Sequence, residues 1–138
     1  MDPKVILTGF ADEGPTTKNV EAQLAMCRGL GLSWYSPRFV NLGGGAKNLM
    51  AATDEELAQI RDLNAAYEMN VSSIGSPLGK VKLLDVDDGT ANRYVPFETY
   101  LETEVAHAID VAKLLGAKLI RGFSFYPPKD DDPMAHVE

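Results

Sequence analysis

Cysteine and histidine, two side chains that often mark a functional site, are scarce in this sequence. The chain has one cysteine, Cys27, which cannot form a disulfide within the chain and falls in a helical pattern typical of small buried side chains. It has two histidines, His107 and His136, and neither clusters with carboxylates in the way that a metal site requires. The sequence therefore predicts neither a disulfide nor a metal site in this chain.

Long apolar runs and an excess of basic residues are also absent. No apolar run approaches the ~20 residues that span a bilayer. The start of the chain, MDPKVILTGF, lacks the basic region and cleavage site of a signal peptide. The net charge is −7, whereas proteins that bind nucleic acid need a basic surface. We therefore expect a cytoplasmic protein whose partners include neither a membrane nor a nucleic acid.

What is present fits one globular domain. The 138 residues are 45% hydrophobic and 24% charged, which is enough for a substantial core. We therefore predict a single domain over residues 1–138.

Strands and helices alternate along the chain. Four strands are predicted where β-branched and aromatic residues concentrate: KVILTGF at 4–10, residues 33–40, VSSIGS at 71–76 and LIRGFSFYPP at 119–128. Three helices lie between them: one capped by Thr16 or Thr17 and ended by Gly29 and Gly31, one that starts at the capping box of Thr53 and Glu56, and one from Pro96 to Gly116. The last helix has a predicted apolar face of Phe97, Leu101, Ala108, Ala112 and Leu115.

This alternation indicates an α/β fold, because strands joined through helices lie parallel and are connected by right-handed crossovers. An open doubly wound sheet fits, and so does half of a (β/α)₈ barrel, which takes about 250 residues in full. After Pro127 and Pro128, the residues KDDDPMAHVE have the aspartates and proline of a helix start. We therefore interpret the chain as truncated or as one half of something larger, made of parallel (β/α) units with four strands, three helices and the start of a fourth.

Polar residues recur at the carboxyl ends of the predicted strands, where parallel sheets place their ligand sites. Asp12 and Glu13 follow the first strand. The candidates for binding an anionic or hydroxyl-rich ligand are Arg38, Ser76, Lys80, Arg121, Ser124 and Tyr126. Arg121 is the most informative, because a charge inside an apolar strand needs a partner or a ligand. The glycine-rich segments do not match a Walker motif, but backbone amides from Gly75 to Lys80 are a candidate cradle for a phosphate or a sugar hydroxyl.

Three stretches carry a resemblance to a known family: VILTGFADE at 5–13, VSSIGSPLGKV at 71–81, and KLIRGFSFYPP at 118–128 followed by DPMAHV. They resemble the xylose isomerase-like TIM-barrel superfamily, in particular its sugar phosphate isomerases and epimerases. The resemblance covers essentially the whole chain but only the first half of that family's barrel. Strand two departs from the pattern, with Ser36-Pro37 before Arg38 where many relatives carry Glu-Leu.

The resemblance implies a division of labour between two halves of a barrel. The full barrel would hold a divalent metal, Mn²⁺ or Mg²⁺, bound by two glutamates, an aspartate and a histidine of the second half. The metal would polarise a carbonyl while two carboxylates move a proton at the adjacent carbon. This chain would contribute substrate-cleft residues for a small sugar or sugar phosphate, hold no cofactor alone and be inactive without the second half.

Three functions stay open. The first is the N-terminal half of a sugar (phosphate) isomerase or epimerase. The second is a non-enzymatic half-barrel that self-associates and binds a small anion or carbohydrate. Because a half-barrel exposes two sheet edges and an apolar inner face, we expect a homo-oligomer or a complementary half-barrel as partner. The third, a nuclease of the same superfamily that resembles apurinic endonucleases, is disfavoured by the acidic net charge.

Overall fold

The computed structural model describes residues 5–137 and has an α/β fold. Parallel strand pairs and helices are both present, and no closed barrel forms among these residues. The described chain divides into two compact units, so a single domain over residues 1–138 stays a prediction. The first unit contains the residues up to Ser76 together with His107–Arg121. The second contains Pro77–Ala106 and the residues from Gly122 onward.

Most of the regular structure lies in the first unit. Its first two helices are α1 (Val20–Gly29) and α2 (Asp54–Ala66), with 3₁₀ turns at Ala11–Glu13 and Leu49–Ala51. Its strands are β1 (Trp34–Tyr35), β2 (Phe39–Val40), β3 (Lys47–Asn48) and β4 (Asn70–Val71). Two further strands, β5 (Ser73–Leu78) and β6 (Leu119–Gly122), pair with each other. Strand three of the sequence prediction is thus confirmed as β4 with β5. Strand four is confirmed over Leu119–Gly122 as β6, whereas residues 123–128 form no strand and the prediction is wrong there.

The predicted second strand is divided at Pro37. β1 pairs in parallel with β4, with Trp34 opposite Asn70, whereas β2 pairs antiparallel with β3. Proline has no backbone N–H to donate to a ladder, which favours a break at this position. Arg38 lies between the two strands, directly before β2.

The first predicted strand, KVILTGF, is wrong as a regular strand over the described residues, and its Lys4 lies outside them. Only Phe10 forms a β-bridge, parallel to Ser36, and the Ser36 amide donates to the Gly9 carbonyl at 2.8 Å. Val5 and Leu7 are 77% and 71% exposed. A strand needs a backbone partner along its length, and here the partner meets the segment at one end.

The starts of α1 and α2 show which residues act as N-caps. The capping box predicted at Thr53 is confirmed: the Glu56 amide donates to the Thr53 hydroxyl, and the Thr53 amide donates to the Glu56 carboxylate. The predicted cap of α1, Thr16 or Thr17, is wrong: the cap is Asn19, whose Oδ1 accepts from the Ala22 amide at 2.9 Å. Asparagine is as good an N-cap as serine and lies directly before the helix.

The core of the first unit is apolar and closely filled. Leu24, Leu49, Ile60 and Ile74 have no exposed surface. Two buried polar side chains complete it by bonding to each other, since the Tyr35 hydroxyl donates to Asn64 Oδ1 at 2.7 Å. Burial raises the pKa of Tyr35, so this hydroxyl stays protonated and acts as a donor.

The third predicted helix forms, but its predicted face is wrong in part. It consists of α3 (Phe97–Tyr100), a π-helical stretch at Leu101–Val105 and α4 (Ala106–Leu114), and Gly116 follows with φ +71°. Ala108, Ala112 and Leu115 are buried as predicted, whereas Phe97 and Leu101 are exposed. A π turn adds a residue to the hydrogen-bonded ring, so the i, i+4 spacing of the sequence does not carry through it.

The second unit is held by polar loops and aromatic contacts. Asp88 is bonded by the Lys82 ammonium at 2.7 Å, by the Thr90 hydroxyl at 2.8 Å and by the Lys129 amide at 3.1 Å. These donors hold the pKa of Asp88 well below its usual value. The predicted start of a fourth helix is a 3₁₀ turn, Pro133–His136, capped by Asp132. None of the helices within residues 5–137 has the length and apolar character needed to cross a membrane.

Candidate functional site

Three of the predicted binding residues, Arg38, Ser76 and Arg121, lie close together in the first unit. Arg38 comes three residues after β1, Ser76 lies in β5 and Arg121 lies in β6. The strands of the α/β fold therefore bring together residues that are up to 83 positions apart in the sequence (38 to 121).

Asp12 holds Arg38 in place. The Asp12 side chain has no exposed surface, and its Oδ2 accepts from Arg38 Nε at 3.1 Å and from Nη2 at 2.8 Å. Glu13 accepts from the same Nη2, and its side chain is 68% exposed. The other Asp12 oxygen, Oδ1, is buried and has no hydrogen-bond donor among residues 5–137. Arg38 thus forms ion pairs with one buried carboxylate and one exposed carboxylate.

Ser76 and Arg121 hold each other across the paired strands β5 and β6. Arg121 donates to the Ser76 carbonyl from Nε at 3.1 Å and from Nη2 at 3.0 Å, and to the Gly75 carbonyl at 3.3 Å. In return, the buried Ser76 hydroxyl donates to the Arg121 carbonyl at 2.5 Å. The guanidinium is therefore fixed by backbone oxygens that do not move independently of the sheet.

Both guanidinium groups lie over the ring of Phe10. The Cζ atoms of Arg38 and Arg121 are 4.7 and 5.0 Å from its centroid, which is the range of cation–π interactions. Hydrogen bonding to Asp12 raises the pKa of Arg38, Glu13 acts in the same direction and burial opposes both. Burial lowers the pKa of Arg121, and the positive charge of Arg38 lowers it further. Because arginine titrates far above neutrality, the site holds two positive charges at pH 7.

Gly75 allows this close packing. A Cβ at Gly75 would lie 2.6 Å from Arg38 Cβ and 2.9 Å from the Pro37 carbonyl oxygen, which no side chain tolerates. The Gly75 amide itself donates to the Pro37 carbonyl at 2.9 Å. In the second unit the amides of Gly79 and Lys80 donate to the Tyr100 hydroxyl and to the Pro77 carbonyl. These three amides of the predicted phosphate cradle are therefore used within the protein.

The other predicted residues, Lys80, Ser124 and Tyr126, belong to the second unit. The Lys80 ammonium lies 4.5 Å from the centroid of the Phe123 ring, and Tyr126 exchanges backbone hydrogen bonds with Val81 and Leu83. Ser124 is exposed and lines a cavity of about 530 Å³. Their part in ligand binding stays a prediction.

Sequence reasoning recognised Asp12 and Glu13 as polar residues at a strand end but did not count them as site residues, and it missed Phe10. A carboxylate placed directly after an apolar run, with arginines in or after later strands, is the signal that pairs them. The role of Phe10 had no signal of its own, because an aromatic residue at a strand end is more often part of the core.

A metal site of the kind that the resemblance implies has no counterpart in the described part of the chain. Within residues 5–137, no three histidine, cysteine, aspartate or glutamate side chains gather in a way that can hold a metal ion. The resemblance assigns its metal ligands to the second half of the barrel and none of them to this chain, so we derive no chemical step through a metal.

Comparison with known proteins adds no family to this picture. No protein-family model matches the chain, and no curated protein matches it either.

Proposed function

We propose that this chain is the substrate-binding half of a sugar or sugar-phosphate isomerase or epimerase of the TIM-barrel type. The parallel strands and the helices between them are compatible with half of such a barrel. The proposal assigns to this half the wall that binds the substrate, and to a complementary half the divalent metal and the proton transfer. On this proposal the isolated chain binds its ligand in the cytoplasm without turning it over.

The observation that carries the proposal is the pair of arginines over Phe10 beside buried Asp12. Burial of the Arg121 guanidinium lowers its pKa, and the positive charge of Arg38 lowers it further. An anion that accepts hydrogen bonds from the guanidinium groups would offset the cost of keeping both charged at the Phe10 ring. Guanidinium groups donate to phosphate oxygens and to sugar hydroxyls.

A ligand titration tests the proposal. We expect amide resonances of residues around Arg38 and Arg121 to shift in a saturable way when D-fructose 6-phosphate is added to the ¹⁵N-labelled chain. Arg121→Lys should weaken this binding, because lysine cannot donate to the Ser76 carbonyl from two nitrogens. Arg61→Lys is the matched control, since Arg61 pairs with Asp62 at the surface. No saturable shift up to about 10 mM ligand would refute the proposal.

The inactive-half part of the proposal has its own test. The isolated chain, supplied with Mn²⁺ or Mg²⁺, should not epimerise ketoses. If it did so at a rate that Arg121→Ala abolishes, catalysis would reside in this half and the division of labour would be wrong.

A second candidate function, a self-associating half-barrel, is favoured by one specific surface of the first unit. An apolar groove of about 370 Å³ is lined by Ile6, Trp34, Val71 and Leu119, and Leu119 is 66% exposed. The neighbouring residues Val5 and Leu7 are also largely exposed. Among residues 5–137 the segment 5–9 joins no strand, and apolar surface beside such a segment is typical of a site of association.

Molar mass by light scattering separates this second candidate from a monomer. We expect a mass above 15.0 kDa at micromolar concentration, and Leu7→Lys should lower it. Ile109→Lys, which places the same charge on α4 outside the groove, should leave the mass unchanged. A mass of about 15 kDa for the unaltered chain contradicts self-association and leaves the ligand-binding proposal intact.

A further inference from the structure

Two carboxylates meet the same nitrogen of Arg38 from different surroundings. Asp12 and Glu13 are neighbours in the 3₁₀ turn Ala11–Glu13, and both accept from Nη2. The Asp12 side chain is completely buried, whereas the Glu13 side chain is 68% exposed. Asp12 is therefore the fixed partner of Arg38, and Glu13 is an outer partner that reaches the arginine from solvent.

The charges around Phe10 show what Glu13 contributes. The guanidinium groups of Arg38 and Arg121 lie at the Phe10 ring, and the Lys18 ammonium donates to the Asp12 carbonyl at 2.5 Å, so three positive charges gather near buried Asp12. The Glu13 carboxylate supplies the second negative charge that offsets them. Without Glu13 the cluster would attract one further anionic group.

The contact of Glu13 with Arg38 is easily replaced. An ion pair with one exposed partner contributes little to stability, because water solvates the released carboxylate well. Arg38 is itself 21% exposed, and its Nη1 donates to no acceptor among residues 5–137. A phosphate or carboxylate that arrives from solvent can thus take the place of Glu13 and accept from two nitrogens at once.

We propose that Glu13 occupies the position of the ligand's anionic group and that a phosphate or carboxylate of the ligand displaces it from Arg38. This inference rests on the proposed function and names the chemical group that the site selects. It makes Glu13 a residue that sets the affinity: the ligand must compete with an internal carboxylate, so weak anions are rejected.

The test is a calorimetric titration with inorganic phosphate on three proteins at low ionic strength: the unaltered chain, Glu13→Gln and Glu68→Gln. Glu68 is the matched control because its 80% exposed side chain pairs with Arg28 at 3.4 Å in the same unit, and its substitution changes the net charge equally. We expect Glu13→Gln to tighten phosphate binding up to about fivefold relative to Glu68→Gln. Titration with acetate in place of phosphate then shows which of the two anions gains more.

Equal affinities of the two variants for both anions would overturn the inference, because net charge alone would then explain any gain. Weaker binding by Glu13→Gln would also overturn it, since Glu13 would then contribute to ligand binding. Absence of phosphate and acetate binding in all three proteins counts against the inference as well. The titration with D-fructose 6-phosphate decides separately whether the proposed function fails with it.

Discussion

Arg38 and Asp12 are joined through one carboxylate oxygen: Nε and Nη2 of the arginine both donate to Oδ2 of the aspartate. The aspartate lies in the turn after the first extended segment, and the arginine follows β1. This ion pair therefore ties two neighbouring segments of the first unit together at the end where the candidate site lies, and it links the stability of the fold to the shape of the site.

Replacing Asp12 by asparagine should destabilise the first unit. The amide would keep the shape of the side chain but leave Arg38 with Glu13 as its one carboxylate partner among residues 5–137. Breaking a fully buried ion pair costs about 3 to 5 kcal/mol, and because Arg38 is 21% exposed we expect a loss of about 2 to 3 kcal/mol in urea unfolding. Asp62→Asn, which breaks an exposed pair with Arg61, should cost much less. Equal losses in the free energy of unfolding would show that the Asp12–Arg38 pair contributes no more to stability than an exposed pair.

Gly75→Ala should destabilise the protein by about 1 to 3 kcal/mol, the usual cost of overpacking. The added methyl group would collide with Arg38 Cβ and the Pro37 carbonyl, both of which are attached directly to backbone and cannot rotate away. Gly44→Ala is the control, because a Cβ there meets no atom within 4 Å. Chemical unfolding of both variants measures the difference, and a neutral Gly75→Ala would mean that β5 and the Arg38 segment lie farther apart.

Gln23→Met should lower the free energy of unfolding by about 1 to 3 kcal/mol. The buried Gln23 amide donates to the Lys18 carbonyl at 2.8 Å and to the Phe39 carbonyl at 2.9 Å, which connects α1 to β2. Methionine fills the same space but leaves both carbonyls without this donor. Gln59→Met on the exposed side of α2 should have little effect. If both substitutions are neutral, water must replace the lost donor without cost.

Glu56 should make part of the stability of α2 dependent on pH. Hydrogen bonds from Lys47 and from the Thr53 amide lower the pKa of Glu56 below its ordinary value of 4.5. A lowered folded-state pKa gives stability that is fully present above pH 4.5 and is lost as the pH falls toward the folded-state value. The thermal midpoint of the unaltered chain should therefore fall more steeply below pH 4.5 than that of Glu56→Gln. Lys47→Met should flatten the profile in the same way, whereas parallel profiles would contradict the assignment.

The sequence predicted helix starts and ends correctly where capping residues next to the helix determine them. The capping box of Thr53 and Glu56 starts α2 where expected, and Gly116 ends the third helix in the left-handed conformation. The π stretch at Leu101–Val105 could not be foreseen, because its hydrogen-bond pattern leaves no mark in the order of residue types. Phe97 is exposed because the extra residue of the π turn breaks the i, i+4 spacing that had placed it on the buried face.

The candidate site was predictable in part for a related reason. Residues at the ends of parallel strands are brought to one edge, so Arg38, Ser76 and Arg121 could be chosen from the sequence. Which carboxylate pairs with which arginine depends on the burial of each side chain and on the distances between side chains, and the order of the strands gives neither. For that reason Asp12, the most deeply buried charge of the site, was absent from the candidates, and the half-barrel architecture itself stays a prediction.

The apolar groove of the first unit also contains a fluorescent side chain. Trp34 is the chain's single tryptophan, and it lines that groove beside Ile6, Val71 and Leu119. Indole emission moves to shorter wavelength when water leaves its surroundings, and the tryptophan fluorescence of this protein comes from one known position. Any molecule that fills the groove, another copy of the chain included, should therefore shift the Trp34 emission maximum to shorter wavelength, and no added label is needed to detect it.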